Sequence, residues 1–63
     1  MNPHAVEVLN SYKKRMIDPK IKDKETVAQE IWKHPLVMQD VNAQKRFNTI
    51  YESSMRTKFK PIK

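Results

Sequence analysis

Thirteen lysine and arginine side chains are the residues of this 63-residue chain whose type and placement could do chemistry, and that chemistry is the capture of anions. They are not spread evenly. Between positions 13 and 24 stand Lys13, Lys14, Arg15, Lys20, Lys22 and Lys24 against only Asp18 and Asp23, a net +4. Between 55 and 63 stand Arg56, Lys58, Lys60 and Lys63 with no acid, another +4, and the rest of the chain carries −2, which restores the formal +6. Cations gather at helix C-termini whatever a protein does, because the macrodipole is negative there and each charge gains about 0.3–1 kcal/mol. Two clusters this dense on so short a chain exceed what helix ends require, so an anionic partner is expected.

Other chemistry finds little support. His4 and His34 are the two imidazoles, there is no cysteine, and no His-x-x-x-His or carboxylate cluster has ligand spacing, so no metal and no cofactor is expected. Ser11, Ser53 and Ser54 lack a histidine or acid at triad spacing, and Glu25 and Glu30 fall five apart, off a shared helical face. The chain reads as non-catalytic. Phe59, between Lys58 and Lys60, has two readings: an aromatic that stacks on a base or plugs a partner's pocket, or one that folds back over the core. Trp32, the one tryptophan, is expected to pack inside, and Met16, Met38 and Met55 to fill the core.

The elements that must position these residues follow from composition and spacing. A chain of 63 residues without disulfides has room for one small core, and with no glycine it has no easy hairpin turns, so strands are improbable. An all-α fold is expected: a small, monomeric bundle of three helices. Asn2-Pro3 opens the first, over about 3–17, where Ala5, Leu9, Tyr12 and Met16 share a face until Asp18-Pro19 stops it. Asp23 caps the second, over about 24–34, whose apolar face is Val27, Ala28, Ile31 and Trp32 and whose end is His34-Pro35. Leu36, Val37 and Met38 suit a short 3₁₀ turn tucked into the core. Asp40 or Asn42 caps a third helix over about 41–57, with Ala43, Phe47, Ile50 or Tyr51, and Met55 inward. The organisation expected is one helical domain over 1–57 and a basic C-terminal tail over 58–63, with the chain from Arg56 to Lys63 frayed. No secretory leader pattern and no apolar run of membrane-spanning length occurs, which suits a soluble, intracellular protein of cytoplasm or nucleus.

The order of parts resembles a known family. A helix, a charged connector, a second helix ending in Ile31-Trp32-Lys33-His34-Pro35-Leu36-Val37, a short turn, then Gln44-Lys45-Arg46-Phe47-Asn48-Thr49-Ile50-Tyr51 is similar to the FF domain over nearly the whole chain. The resemblance implies three helices with a 3₁₀ turn between the second and third. It also implies a non-catalytic adaptor that docks acidic or phosphorylated peptide segments, as in transcription and splicing proteins. The chain departs from the family pattern in having Leu9 or Val8 for the first signature Phe, His34 for the acid before proline and Val37 for the following aromatic. It also lacks the usual Trp near the start of the second helix.

A rival reading is a small nucleic-acid-binding protein. Thr26-Val27-Ala28-Gln29-Glu30-Ile31 resembles the first helix of a helix-turn-helix unit, with small Ala28 at the crossing. Against it, the tight turn reads Trp32-Lys33-His34-Pro35, and the segment that would read bases carries Gln39, Asp40 and Asn42 with little positive charge. A chain opening on Met1 and closing on a lysine tail also suits an entire small regulator of phage or bacterial type, binding phosphates through basicity alone.

Overall fold

Each helix begins where a polar side chain can take up an otherwise unpartnered backbone N–H. In the computed structural model, which describes residues 1–60, the Asn2 side chain accepts from the His4 amide at 2.8 Å and opens α1, Pro3–Ile17. Pro19 forces Asp18 out of the helical region, to φ −76° and ψ 119°, and α1 stops there. Asp23 accepts from the Thr26 amide at 3.0 Å and from its hydroxyl at 2.6 Å, which starts α2, Lys24–Trp32. His34 then caps with an imidazole, its Nδ1 accepting from the Leu36 amide at 3.2 Å, and Pro35 leads α3, Pro35–Met38. Asp40 accepts from Asn42 and Ala43 and opens α4, Val41–Met55.

The described residues therefore form an all-helical bundle of four helices with no strand, α1 packing along both α2 and α4 and α3 against α4. This corrects two expectations. The segment expected as a 3₁₀ turn is one turn of α-helix, because the amides of Met38 and Gln39 reach back four residues, to His34 and Pro35, at 3.0 Å each. A capped proline start lets so short a segment close full α turns. The helix count also rises from three to four, while the second and last long helices end at Trp32 and Met55, within a turn of the expected 34 and 57.

Without glycine, α4 ends on Arg56 in the left-handed region, φ 57° and ψ 27°, where a Cβ costs roughly 1–2 kcal/mol. Its amide donates to the Glu52 carbonyl at 2.8 Å, which closes the last turn.

One face of each long helix meets the others. Ala5, Leu9, Tyr12 and Met16 of α1, Ala28 of α2, Val37 of α3, and Ala43, Phe47 and Tyr51 of α4 form the buried core. Val27, Ile31, Trp32, Leu36 and Ile50, expected inside, lie half-buried against its margin. Of the three consecutive apolar residues, Val37 alone is fully buried and Met38 is 57% exposed, so Met38 is not core filling. Successive residues of a helix point about 100° apart, so a single turn can aim only one of them at a given neighbour.

At the centre the Tyr12 and Phe47 rings stack at 4.7 Å with planes 8° apart, and Phe47 also meets Trp32 at 5.3 Å. The Tyr12 hydroxyl is buried there with no hydrogen-bond partner among the described residues. Burial, aided by neighbouring Tyr51, pushes its phenol well above the ordinary tyrosine value. A buried hydroxyl left unpaired costs about 1–3 kcal/mol, so Tyr12→Phe should stabilise the domain by about 1 kcal/mol and raise its Tm by several degrees. The pH dependence carries a definite sign. A raised folded-state pKa means the neutral phenol's contribution is complete below the ordinary tyrosine pKa and is lost as pH climbs above it. The parent should lose stability in alkali more steeply than Tyr12→Phe, and parallel thermal melts of the two in that range would refute this placement of the hydroxyl.

Candidate anion-binding surface

The basic residues divide among several places in the fold. Lys13, Lys14 and Arg15 are exposed along the last turns of α1, where the macrodipole favours cations. Lys20 and Lys22 are exposed on the connector, whose bend is held by the Lys20 amide donating to Asp18 at 2.9 Å. Lys24 is half-buried as the first residue of α2, a helix end that repels cations. Its neighbour Asp23 is the cap of that helix, and hydrogen bonds from the hydroxyl and then the amide of Thr26 hold its carboxyl below the usual carboxylate range. The C-terminal end of α1 thus accounts for Lys14 and Arg15, whereas Lys24 stands at a helix end that does not favour it.

The second cluster follows α4. Arg56 and Lys58 line a surface hollow of about 260 Å³ together with Glu52 and Thr57. Phe59 takes the second of its two readings. It folds back on the helices, its ring 4.8 Å from Phe47, 5.1 Å from Tyr51 and 5.3 Å from Trp32. The Lys60 carbonyl accepts from the buried Gln29 side chain at 3.3 Å, which ties this strap to α2 and leaves the Lys60 side chain exposed. Of residues 58–60, expected within a frayed tail, Phe59 is held on the domain by its ring and Lys60 by its carbonyl, while the Lys58 side chain is exposed. Residues 61–63 of that tail, with Lys63 of the second cluster, lie outside the described residues.

A groove of about 220 Å³ runs between the second half of α1 and α4. Lys13 and Arg46 stand over it, Ile17 and Ile50 supply its apolar lining, and Thr49, Ser53 and Ser54 bring hydroxyls; no carboxylate lines it. Thr49 already donates its hydroxyl proton to the Lys45 carbonyl at 3.1 Å, so only lone pairs remain free on that oxygen. Charge counting along the chain singled out Lys13 but missed Arg46, which has no dense basic neighbourhood. The signal that could have found it is periodic. Arg46, Ile50, Ser53 and Ser54 recur at helical spacing on one face of α4, as Lys13 and Ile17 do on α1.

Another hollow, of about 490 Å³, is of opposite character: Asp23, Glu25 and Glu30 line it with Thr26, Gln29 and Lys33. Among the described residues there is no group of three or more His, Asp or Glu placed to hold a metal ion, and no helix long and apolar enough to cross a membrane. No family model matches the chain, and no curated protein or solved structure matches it either.

Proposed function

We propose that this chain is a non-catalytic basic binding module that docks an acidic or phosphorylated segment of another protein, an intracellular FF-like adaptor of the transcription and splicing type. The observation that carries the reading is the excess of cations over what helix ends need. Lys24 sits at the N-terminus of α2, where the dipole disfavours a cation, and Arg56 occupies a left-handed position that glycine would fill at lower cost. A costly conformation held by a charged residue points to a use for that charge. The succession of three longer helices with a short turn before the last also supports the FF-like reading, in which α3 stands for the family's 3₁₀ turn. Lys13, Lys14, Arg15, Lys20, Lys22 and Lys24 make the first contacts, helped by Arg56, Lys58 and Lys60.

Nucleic acid is the second reading, favoured by the formal +6 charge. It is the weaker one, because α3 has four residues, too few for a reading helix, and α4 opens on a carboxylate, Asp40. Amide-shift titrations with duplex DNA, single-stranded RNA and a phosphorylated acidic peptide at two salt concentrations distinguish the two. The peptide should move amides in 13–24 or 55–60 with a shallow salt dependence and a need for particular apolar anchors. Nucleic acid would instead show log affinity falling with log salt by about 0.9 per phosphate contact on duplex DNA. If none of the three ligands moves those amides, the clusters are solvated surface and the reading is lost.

A further inference from the structure

We infer that the groove between α1 and α4 seats a phosphorylated side chain of the partner segment, the phosphate between Lys13 and Arg46 and the next apolar residue on Ile17 and Ile50; this rests on the docking function proposed above. Two cations from different helices face one groove whose lining contains no carboxylate, so an anion placed there meets attraction from both sides. A single carboxylate would leave one of the two uncompensated. A phosphoryl group carries about −1.5 to −2 charge at neutral pH and three acceptor oxygens, which matches a pair of cations. Arg46 offers a planar fork that can grip two of those oxygens, Lys13 adds a mobile point charge, and Ser53 and Ser54 offer hydroxyls that can donate to the third.

The apolar floor makes the site more than a charge pair. Ile17 is 64% exposed on an otherwise polar face, and with half-buried Ile50 it presents aliphatic surface immediately beside the cations. A partner residue that covers Ile17 removes water from the phosphate contacts as well, and charge-assisted hydrogen bonds strengthen when water is excluded. The groove's volume of about 220 Å³ suits a side chain or two rather than a whole helix. The occupant is therefore an extended phosphorylated peptide with an apolar neighbour, which combines the two kinds of surface the groove offers.

The test uses the full chain, isotope-labelled, with three probes: a short peptide carrying one phosphoserine followed by leucine, its unphosphorylated twin, and a twin with glutamate in place of the phosphoserine. The phosphopeptide should move the amides of residues 13, 17, 46, 49, 50, 53 and 54 and bind roughly tenfold or more tightly than either twin. Arg46→Gln and Lys13→Gln, both at exposed positions, should melt like the parent yet each weaken the phosphopeptide roughly tenfold. Lys33→Gln, at the end of α2 and away from this groove, should leave binding unchanged. Parent affinity in Arg46→Gln and Lys13→Gln, with shifts confined to 20–24 and 56–60, would overturn the groove while leaving the docking function standing. Equal binding of the glutamate twin would overturn the phosphate assignment. If no peptide binds, or only nucleic acid does, the docking reading itself falls and the groove assignment falls with it.

Discussion

Phe47→Ala should abolish cooperative folding at ordinary temperature. Phe47 is fully buried on α4, stacked on Tyr12 at 4.7 Å and touching both Trp32 and Phe59. Its ring meets Tyr12 of α1, Trp32 of α2 and Phe59 of the C-terminal strap. Removing a buried phenyl costs about 3–5 kcal/mol, as lost transfer energy plus the cavity left behind. Below about 70–80 residues a single hydrophobic core rarely supplies more than about 3–5 kcal/mol of net stability, so little or nothing remains. The loss should appear as a broad, early thermal transition by circular dichroism and collapse of amide-shift dispersion. Phe47→Leu, which keeps much of the volume, should retain a cooperative melt. An alanine variant that melts like its parent would contradict this account of the core.

Phe59→Ala should also destabilise the domain markedly, although the residue lies beyond the last helix. Its ring covers Trp32, Phe47 and Tyr51, and the neighbouring Lys60 carbonyl is held by Gln29. The side chain is half-buried, so the cost should be about 2 kcal/mol rather than that of a full core phenyl. Two readouts check it. The Tm should fall by roughly 8–16 °C at about 4–8 °C per kcal/mol. Emission from Trp32, the single tryptophan, should shift to the red as the strap lifts and water reaches the indole. Phosphopeptide affinity, measured below the lowered Tm, should stay close to that of the parent, since the groove between α1 and α4 does not include Phe59. An unchanged Tm with lost binding would mean that the ring serves a partner instead of the core.

The candidate anion-binding surface was only partly readable in the sequence, and the division has a cause. Net charge over a window weighs residues by nearness along the chain, which finds Lys13 among five neighbouring cations and passes over Arg46. Nearness in the fold is another matter, since α1 and α4 bring Lys13 and Arg46 to the same groove across most of the sequence. The same limit applies to Phe59, for which both readings were open. No rule of spacing says where a chain turns after an αL residue such as Arg56, and the direction it takes here is set by the aromatic surface already built from Trp32, Phe47 and Tyr51.

By itself the sequence determined where helices start and how the inward stripes of the long ones run. Asn2, Asp23 and Asp40 cap, and Pro19 and Pro35 bound the helices on either side, through contacts within a turn of the backbone. Such contacts form in any chain with those neighbours, so Ala5, Leu9, Tyr12 and Met16 fall on one face before anything packs on them. Only the tertiary structure decided that Val37 and not Leu36 is fully buried, that Met38 is left in water, that Phe59 closes the aromatic cluster and that Lys13 and Arg46 line one groove. Those choices depend on the rotation and approach of one helix against another, which the small Ala28 and Ala43 allow to be close. Rotation of that kind is settled by the sum of many contacts between distant residues, each too weak alone to leave a mark in the local sequence.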